Sequence, residues 1–210
     1  MIDLALFDVD GTLLLSDDPL MGEALADALG VANEIDRLDH VGRTTAWIAR
    51  GLVHGREPPL GWCRRAEELY EARLGETSSW RTRLGAAEAL EALAEAGVEL
   101  ALLTGNPERI ARLRMERLGL ARFFGPGQGA FGCESERREE LILHALERAG
   151  IAAEAAVEVG DTPIDVGSAH AAGIRSVAFA GCHPERVGQA DAVVESMAEL
   201  VGVLLEWRRA

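Results

Sequence analysis

Three short stretches of this 210-residue chain gather carboxylates and hydroxyls at close spacing. They are Asp8-Val9-Asp10-Gly11-Thr12, Thr104-Gly105-Asn106 and Gly160-Asp161-Thr162-Pro163-Ile164-Asp165. Asp8 and Asp10 stand two residues apart, a spacing that returns side chains to one face of an extended chain. If the three stretches meet, four carboxylates meet with them and repel one another unless a cation neutralises them. Neither histidine nor cysteine lies within these stretches, so the donor set is all oxygen and favours a hard ion. Mg2+ is the expected cofactor, with Asp8, Asp10, Asp161 and Asp165 as the candidate metal set.

Each stretch directly follows a predicted strand: Ile2–Leu6, Val98–Leu103 and Ala156–Val159. Ser176–Phe179 and Ala192–Val194 complete the strands. Between them lie helical patterns over Gly85–Ala96, ending at Gly97, and over Glu139–Ala149, ending at Gly150. Asn106-Pro107 and Thr162-Pro163 each read as a cap followed by a proline at the first helical position. Met197–Trp207 is the closing helix. Strands separated by helices of this length imply right-handed crossovers and a parallel sheet covered on both faces. The expected fold is therefore α/β, a Rossmann-like doubly wound sheet that gathers ligands at the carboxyl ends of its strands. Residues 16–82 differ. They carry helical patterns at Leu20–Leu29, Thr44–Leu52 and Trp62–Leu74, three of the four tryptophans and no strand signal. The expected division is a catalytic core of residues 1–15 and 83–210 with an inserted all-helical cap domain, 16–82.

The formal charge is −14, and all 21 basic residues besides histidine are arginines; there is no lysine. Such a surface repels nucleic acid and anionic membranes, so neither is an expected partner. Schiff-base chemistry on lysine and a lysine-dependent phosphate loop are excluded. Any phosphate contact falls to arginine forks, helix N-termini and a metal. The apolar stretch Leu4–Leu15 is broken by Asp8 and Asp10 and reads neither as a signal peptide nor as a membrane span. Cys63, Cys133 and Cys182 have no C-x-x-C spacing; neither a disulfide nor a zinc cluster is expected, and a cytoplasmic location is the default. Cys133 and Cys182 read as small buried side chains. His40, His54, His144, His170 and His183 show no spacing suited to a metal or a triad.

In order and spacing, Asp8-x-Asp10-Gly11-Thr12, the strand ending in Thr104, and Gly160-Asp161-Thr162-x-x-Asp165 resemble the motifs of haloacid dehalogenase-like phosphatases. The resemblance covers the whole chain in outline, helical cap included. It implies that Asp8 attacks phosphorus to give an aspartyl-phosphate, while Asp10 protonates the leaving alcohol and then activates water. Thr104 and the Gly105 amide would hydrogen-bond the transferring oxygens. Asp161 would ligate Mg2+ and Asp165 would support it from the first helical turn. Asn106 suits a helix cap and a phosphate contact alike. The family's motif lysine has no counterpart; the segment there reads Glu134-Ser135-Glu136-Arg137-Arg138-Glu139. Arg138 is the preferred substitute and Arg137 the next. Val41-Gly42-Arg43-Thr44 resembles the substrate loop of the phosphoglycolate phosphatase-like branch, with Thr45 where that branch carries Asp. Arg43 there suits either a bidentate clamp on an anionic substrate or a surface arginine without a role. The implied activity is hydrolysis of a small phosphorylated metabolite. Asp10 argues against a dehalogenase, and the missing lysine argues against a phosphonatase and a receiver-like phospho-acceptor. A phosphomutase and a catalytically silent regulatory protein remain as alternatives.

Overall fold

Apolar runs too short for helices form the sheet, and its order follows from the crossovers between them. The computed structural model describes residues 1–16, 18–75, 80–180, 187 and 189–209; Cys182 and His183 lie outside the described residues. Strands β1 (Leu4–Phe7), β4 (Glu99–Thr104), β5 (Ala130–Phe131), β6 (Ala156–Gly160), β7 (Arg175–Phe179) and β8 (Ala192–Val194) pair in parallel in the order β5-β4-β1-β6-β7-β8. Helices cover both faces. Residues of α4 (Ala86–Glu95), α5 (Glu108–Arg117) and α8 (Met197–Arg209) pack on Phe7, Leu102, Val157 and Val177. Residues of α6 (Arg138–Ala149) and α7 (Pro163–Ala171) pack on Leu4, Leu6, Ala101 and Ala156. This is the doubly wound α/β architecture expected from the alternation of patterns.

The predicted strands and helices lie within a few residues of the observed ones, with three exceptions. The edge strand β5 had no sequence signal, because two residues cannot display a period. The same holds for β2 (Leu14–Leu15) and β3 (Arg81–Thr82), which pair antiparallel. Arg81–Thr82 therefore corrects the expectation that residues 16–82 hold no strand. The pair carries the chain out of the sheet and back around α1 (Leu20–Leu29), α2 (Thr45–Leu52) and α3 (Trp62–Arg73). These three helices share an apolar cluster of their own, with Leu25, Leu29, Ile48, Leu52 and Ala66 at its centre. Tyr70 of α3 and Ala24 of α1 meet Ile110 of α5, so the helical segment also packs on a sheet helix.

A disulfide was not expected, yet Cys63 in the first turn of α3 is bonded to Cys133 after β5, with Cα atoms 6.2 Å apart. Seventy residues separate the two in sequence; only the fold brings them together, and a spacing rule cannot see such a pair. Cys133 is accordingly half-buried and bonded, not a buried thiol. The bridge ties the helical segment covalently to the sheet edge, and it is the feature that sits least easily with a reducing compartment. Closing a loop of this length restricts the unfolded chain. The C63S/C133S double variant should therefore lose about 2–4 kcal/mol of stability relative to the oxidised protein in denaturant unfolding. Equal midpoints for the two forms, with unchanged slopes, would contradict that account.

Candidate active site

Asp8 lies just beyond β1 in the middle of the sheet, where its neighbours are β4 and β6. Alternation along β1 sends Leu4, Leu6 and Asp8 toward the face covered by α6 and α7. Arg138, the first residue of α6, arrives on the same face with its side chain only 3% exposed. Its Nη2 donates to Asp8 Oδ1 at 3.0 Å and to the Leu103 carbonyl at 3.2 Å; its Nε donates to Glu158 Oε1 at 3.1 Å. Asp165 Oδ1 lies 2.6 Å from the same Nη2 as an ion pair, without the alignment of a hydrogen bond. Arg137 is 66% exposed and pairs with Glu139 and Glu140 on the surface. Of the two arginines, Arg138 is thus the one that reaches Asp8.

Gly11 makes the turn after Asp8 possible. Its φ of +82° suits glycine, and a Cβ there would overlap the Asp161 carboxylate. Thr12 Oγ1 donates to Asp161 Oδ1 at 3.2 Å, binding the two motifs together. Arg83, one residue beyond β3, donates from Nε to the Thr12 carbonyl at 2.8 Å and from Nη2 to the Gly11 carbonyl. The return strand from the helical segment therefore braces the turn.

Asp10 is the exposed member of the aspartate pair, its side chain 48% accessible. Arg114 Nη1 donates to both its oxygens at 2.7 and 2.8 Å, and Asn106 Nδ2 donates to Oδ2 at 2.5 Å. Asn106 also donates to Thr104 Oγ1, from Nδ2 at 2.9 Å and from its backbone at 3.2 Å. Asn106 was expected at the helix cap. Instead Pro107 occupies that position, and the Asn106 side chain links Thr104 to Asp10. Arg114 was missed by sequence reasoning. It is 2% exposed and also donates from Nη2 to Asp18 at 3.0 Å, while Tyr70 of α3 donates to that aspartate at 2.5 Å. The available signal was its position: Ile110, Ala111, Arg114 and Met115 share one helical face, and the other three are apolar and buried.

At the head of α7, Thr162 and Asp165 form a capping box. Asp165 Oδ2 accepts from Asp161 N, Thr162 N and Thr162 Oγ1, while Oδ1 faces Arg138. Both its oxygens are engaged, and so is the Asp10 carboxylate. Asp8 and Asp161 are each hydrogen-bonded through Oδ1, which leaves Oδ2 of both as an oxygen that could hold a cation. No cluster of three histidine, cysteine or acidic side chains forms a ready metal cage among the described residues. Two carboxylates nevertheless suit Mg2+, which keeps waters and completes its shell with substrate oxygens. Electrostatics point the same way. Burial pushes the Asp8 carboxyl well above the usual range; Arg138 opposes this, and Asp165, Asp161 and Asp10 add to it. Burial, then Asp165, pushes Asp161 up to about 6. Buried carboxylates that resist ionisation are what a bound cation would relieve.

The helical segment is hydrogen-bonded to this edge. The Thr45 amide and hydroxyl both donate to the Gly105 carbonyl, at 2.8 and 2.6 Å, and the Ala46 amide donates to the Gly132 carbonyl at 2.7 Å. A Cβ on Gly105 would overlap the Arg43 carbonyl, so the glycine allows the first turn of α2 to seat. Thr45 stands where the similar substrate loop carries Asp, and a hydroxyl can donate to this carbonyl where a carboxylate cannot. Arg43 lies with its guanidinium 4.7 Å from the Trp47 ring, and its buried Nε has no hydrogen-bond partner.

The sheet order, the placement of the acidic motifs and the inserted helices define a class, and the comparisons agree. The family model for haloacid dehalogenase-like hydrolases matches residues 2–173, and the chain belongs to that family. A phosphoglycolate phosphatase of Agrobacterium fabrum is 29% identical over 220 residues, covering 97% of this chain and 92% of the relative. One of Escherichia coli K12 is 28% identical over 233 residues, covering 94% and 90%. Among solved structures, CbbY from Rhodobacter sphaeroides in complex with phosphate shares the fold with a TM-score of 0.71 at 24% identity, covering 95% of this chain and 96% of that one. Phosphatases of this family generally use a divalent metal.

A raised carboxyl favours the protonated fold. Its contribution to stability is complete below the ordinary range near 3.8 and is lost as pH rises through about 6 for Asp161. A cation bound at this carboxylate would replace the proton over the same window. The rise in melting temperature on adding Mg2+ should therefore grow between about pH 4 and 7 and be largely absent in Asp161→Asn, read by differential scanning fluorimetry. An increment independent of pH, or one retained in the variant, would count against this cation site.

Proposed function

We propose that the chain is a Mg2+-dependent phosphatase acting on a small phosphate monoester through an aspartyl-phosphate on Asp8. The observation that supports this most directly is the pairing of buried Asp8 with Arg138 at 3.0 Å, with the exposed carboxylate of Asp10 two residues away. Asp8 attacks phosphorus, the ester O–P bond breaks, and Asp10 gives a proton to the departing alcohol. Asp10 then takes a proton from water, whose oxygen attacks phosphorus and frees Asp8 and inorganic phosphate. Arg138 holds Asp8 in line and offers its fork to the transferring oxygens. Thr104 and the Gly105 amide bind those oxygens in the same reading. Bound Mg2+, held by Asp8 and Asp161 with Asp165 in support, would neutralise charge on the phosphoryl group.

On this reading residues 16–82 form a cap over a core of residues 1–15 and 83–210, and substrate is selected between them. Arg43 has a buried donor with no partner and lies next to the seat of α2, which suits an anionic group on the substrate. With relatives named as phosphoglycolate phosphatases, a small carboxylated phosphate is the first substrate to test, and sugar phosphates are the second.

Purified protein should release phosphate from p-nitrophenyl phosphate or small phosphate esters only with Mg2+. Asp8→Asn should abolish release while the melting temperature is retained; full activity in that variant would refute the assignment. Arg138→Ala should lower kcat by about 100-fold or more, against less than about threefold for Arg137→Ala. Arg43→Ala should raise KM for carboxylated esters by about tenfold while leaving p-nitrophenyl phosphate little changed. Isomeric sugar phosphate appearing in place of free phosphate would instead identify a mutase.

A further inference from the structure

β6 lies inside the sheet between β1 and β7, and its sequence Ala156-Val157-Glu158-Val159-Gly160 contains one charge. Glu158 is 1% exposed and opposite Leu6 of β1. It points to the same face as Ala156, the face covered by α6 and α7. A carboxylate in that position is costly unless it is paired. Its Oε1 accepts a hydrogen bond from Arg138 Nε, while its second oxygen has no hydrogen-bond partner. The phosphoryl-transfer steps above make no use of Glu158.

The chemistry of arginine supplies a use. A guanidinium is a planar fork, so its direction must be set before its terminal nitrogens can meet a chosen oxygen. An ammonium is a point charge with rotatable donors and needs no such setting. Here Nε is bound to Glu158, and that leaves Nη2 facing Asp8 and Asp165 and Nη1 facing the Gly42 carbonyl at 3.4 Å. With Nε released, the fork is held only through its terminal nitrogens, so the guanidinium plane can tilt and draw Nη2 off Asp8. We infer that Glu158 is a positioning residue: it orients the Arg138 fork so that Nη2 meets Asp8 and the transferring phosphoryl oxygens. The inference rests on Asp8 being the nucleophile. It makes the cationic part of this site a two-residue device, an arginine with its own buried anchor.

The test uses the whole 210-residue chain, loaded with Mg2+, on p-nitrophenyl phosphate, comparing E158L, E158Q, R138K and R138K/E158L. E158L should lower kcat at least about tenfold, with KM and the half-saturating Mg2+ concentration within about twofold of wild type. E158Q keeps an acceptor for Nε and should stay within about threefold. In R138K the ammonium is drawn to Glu158 and away from Asp8. Removing the anchor should release it, so R138K/E158L should turn over at least about threefold faster than R138K. A residue that only stabilised the fold would show the opposite order. That last comparison stands even if E158L alone fails to fold. E158L with wild-type kcat, or a double variant no faster than R138K, would overturn the proposal. Wild type that releases no phosphate, or D8N that does, would instead refute the phosphatase reading on which the proposal rests.

Discussion

One guanidinium facing three buried carboxyl groups is the constraint around which this site is built. Arg138 meets Asp8, Glu158 and Asp165 with its side chain almost wholly enclosed. Burial would lower its affinity for its proton, but Asp165, Asp8 and Glu158 more than offset that and raise it, so it stays charged. The carboxyl groups are less well served. Burial pushes Glu158 up to about 8 and holds Asp8 above its usual range, in each case against the pull of Arg138. Removing the arginine from such a cluster leaves buried charge without compensation, a loss of about 3–5 kcal/mol in comparable settings. The cluster is therefore a poor way to stabilise a fold, because its carboxyl groups resist ionisation where they are buried.

The rest of the architecture exists, in effect, to assemble that cluster. Parallel pairing of β1 with both β4 and β6 brings three acidic or hydroxyl motifs to one sheet edge. The start of α6 places Arg138, and the capping box of α7 turns Asp165 inward. Gly11 lets the Asp161 carboxylate lie against the turn that follows Asp8. Each of these is a local backbone choice, and together they set distances that no single motif specifies.

Much of this was legible beforehand, for identifiable reasons. Asp8, Asp10, Thr104, Asp161 and Asp165 announce themselves because each follows an apolar run at a fixed offset. The sheet and its helical insert follow from patterns longer than one turn. The complete absence of lysine directed attention to Arg137 and Arg138, and the first helical position separates them, since one faces the sheet and the other the solvent. What escaped notice was of two kinds. The two-residue strands and the Cys63–Cys133 bridge depend on tertiary proximity alone. Arg114 and Glu158 were visible as single charges at buried positions of an apolar helix face and an apolar strand, a signal that reads as noise until its partner is known.

Arg114 shows why such charges matter. It joins Asp10 to Asp18, on the way into the helical segment, and Tyr70 reaches the same Asp18 from α3. Elsewhere along the sheet edge, Thr45 and Ala46 donate to the carbonyls of Gly105 and Gly132, and the Gly42 carbonyl accepts from Arg138. The helical segment is thus bonded to the surroundings of both members of the aspartate pair, by partly buried polar contacts in addition to apolar ones. Apolar contact tolerates small shifts, whereas hydrogen bonds of this length do not. Moving the helices relative to the sheet edge would break the bonds at Asp18, Gly105 and Gly42. Contacts from the helical segment thus reach the Asp10 carboxylate, through Asp18 and Arg114, and separately reach the Arg138 fork, through Gly42.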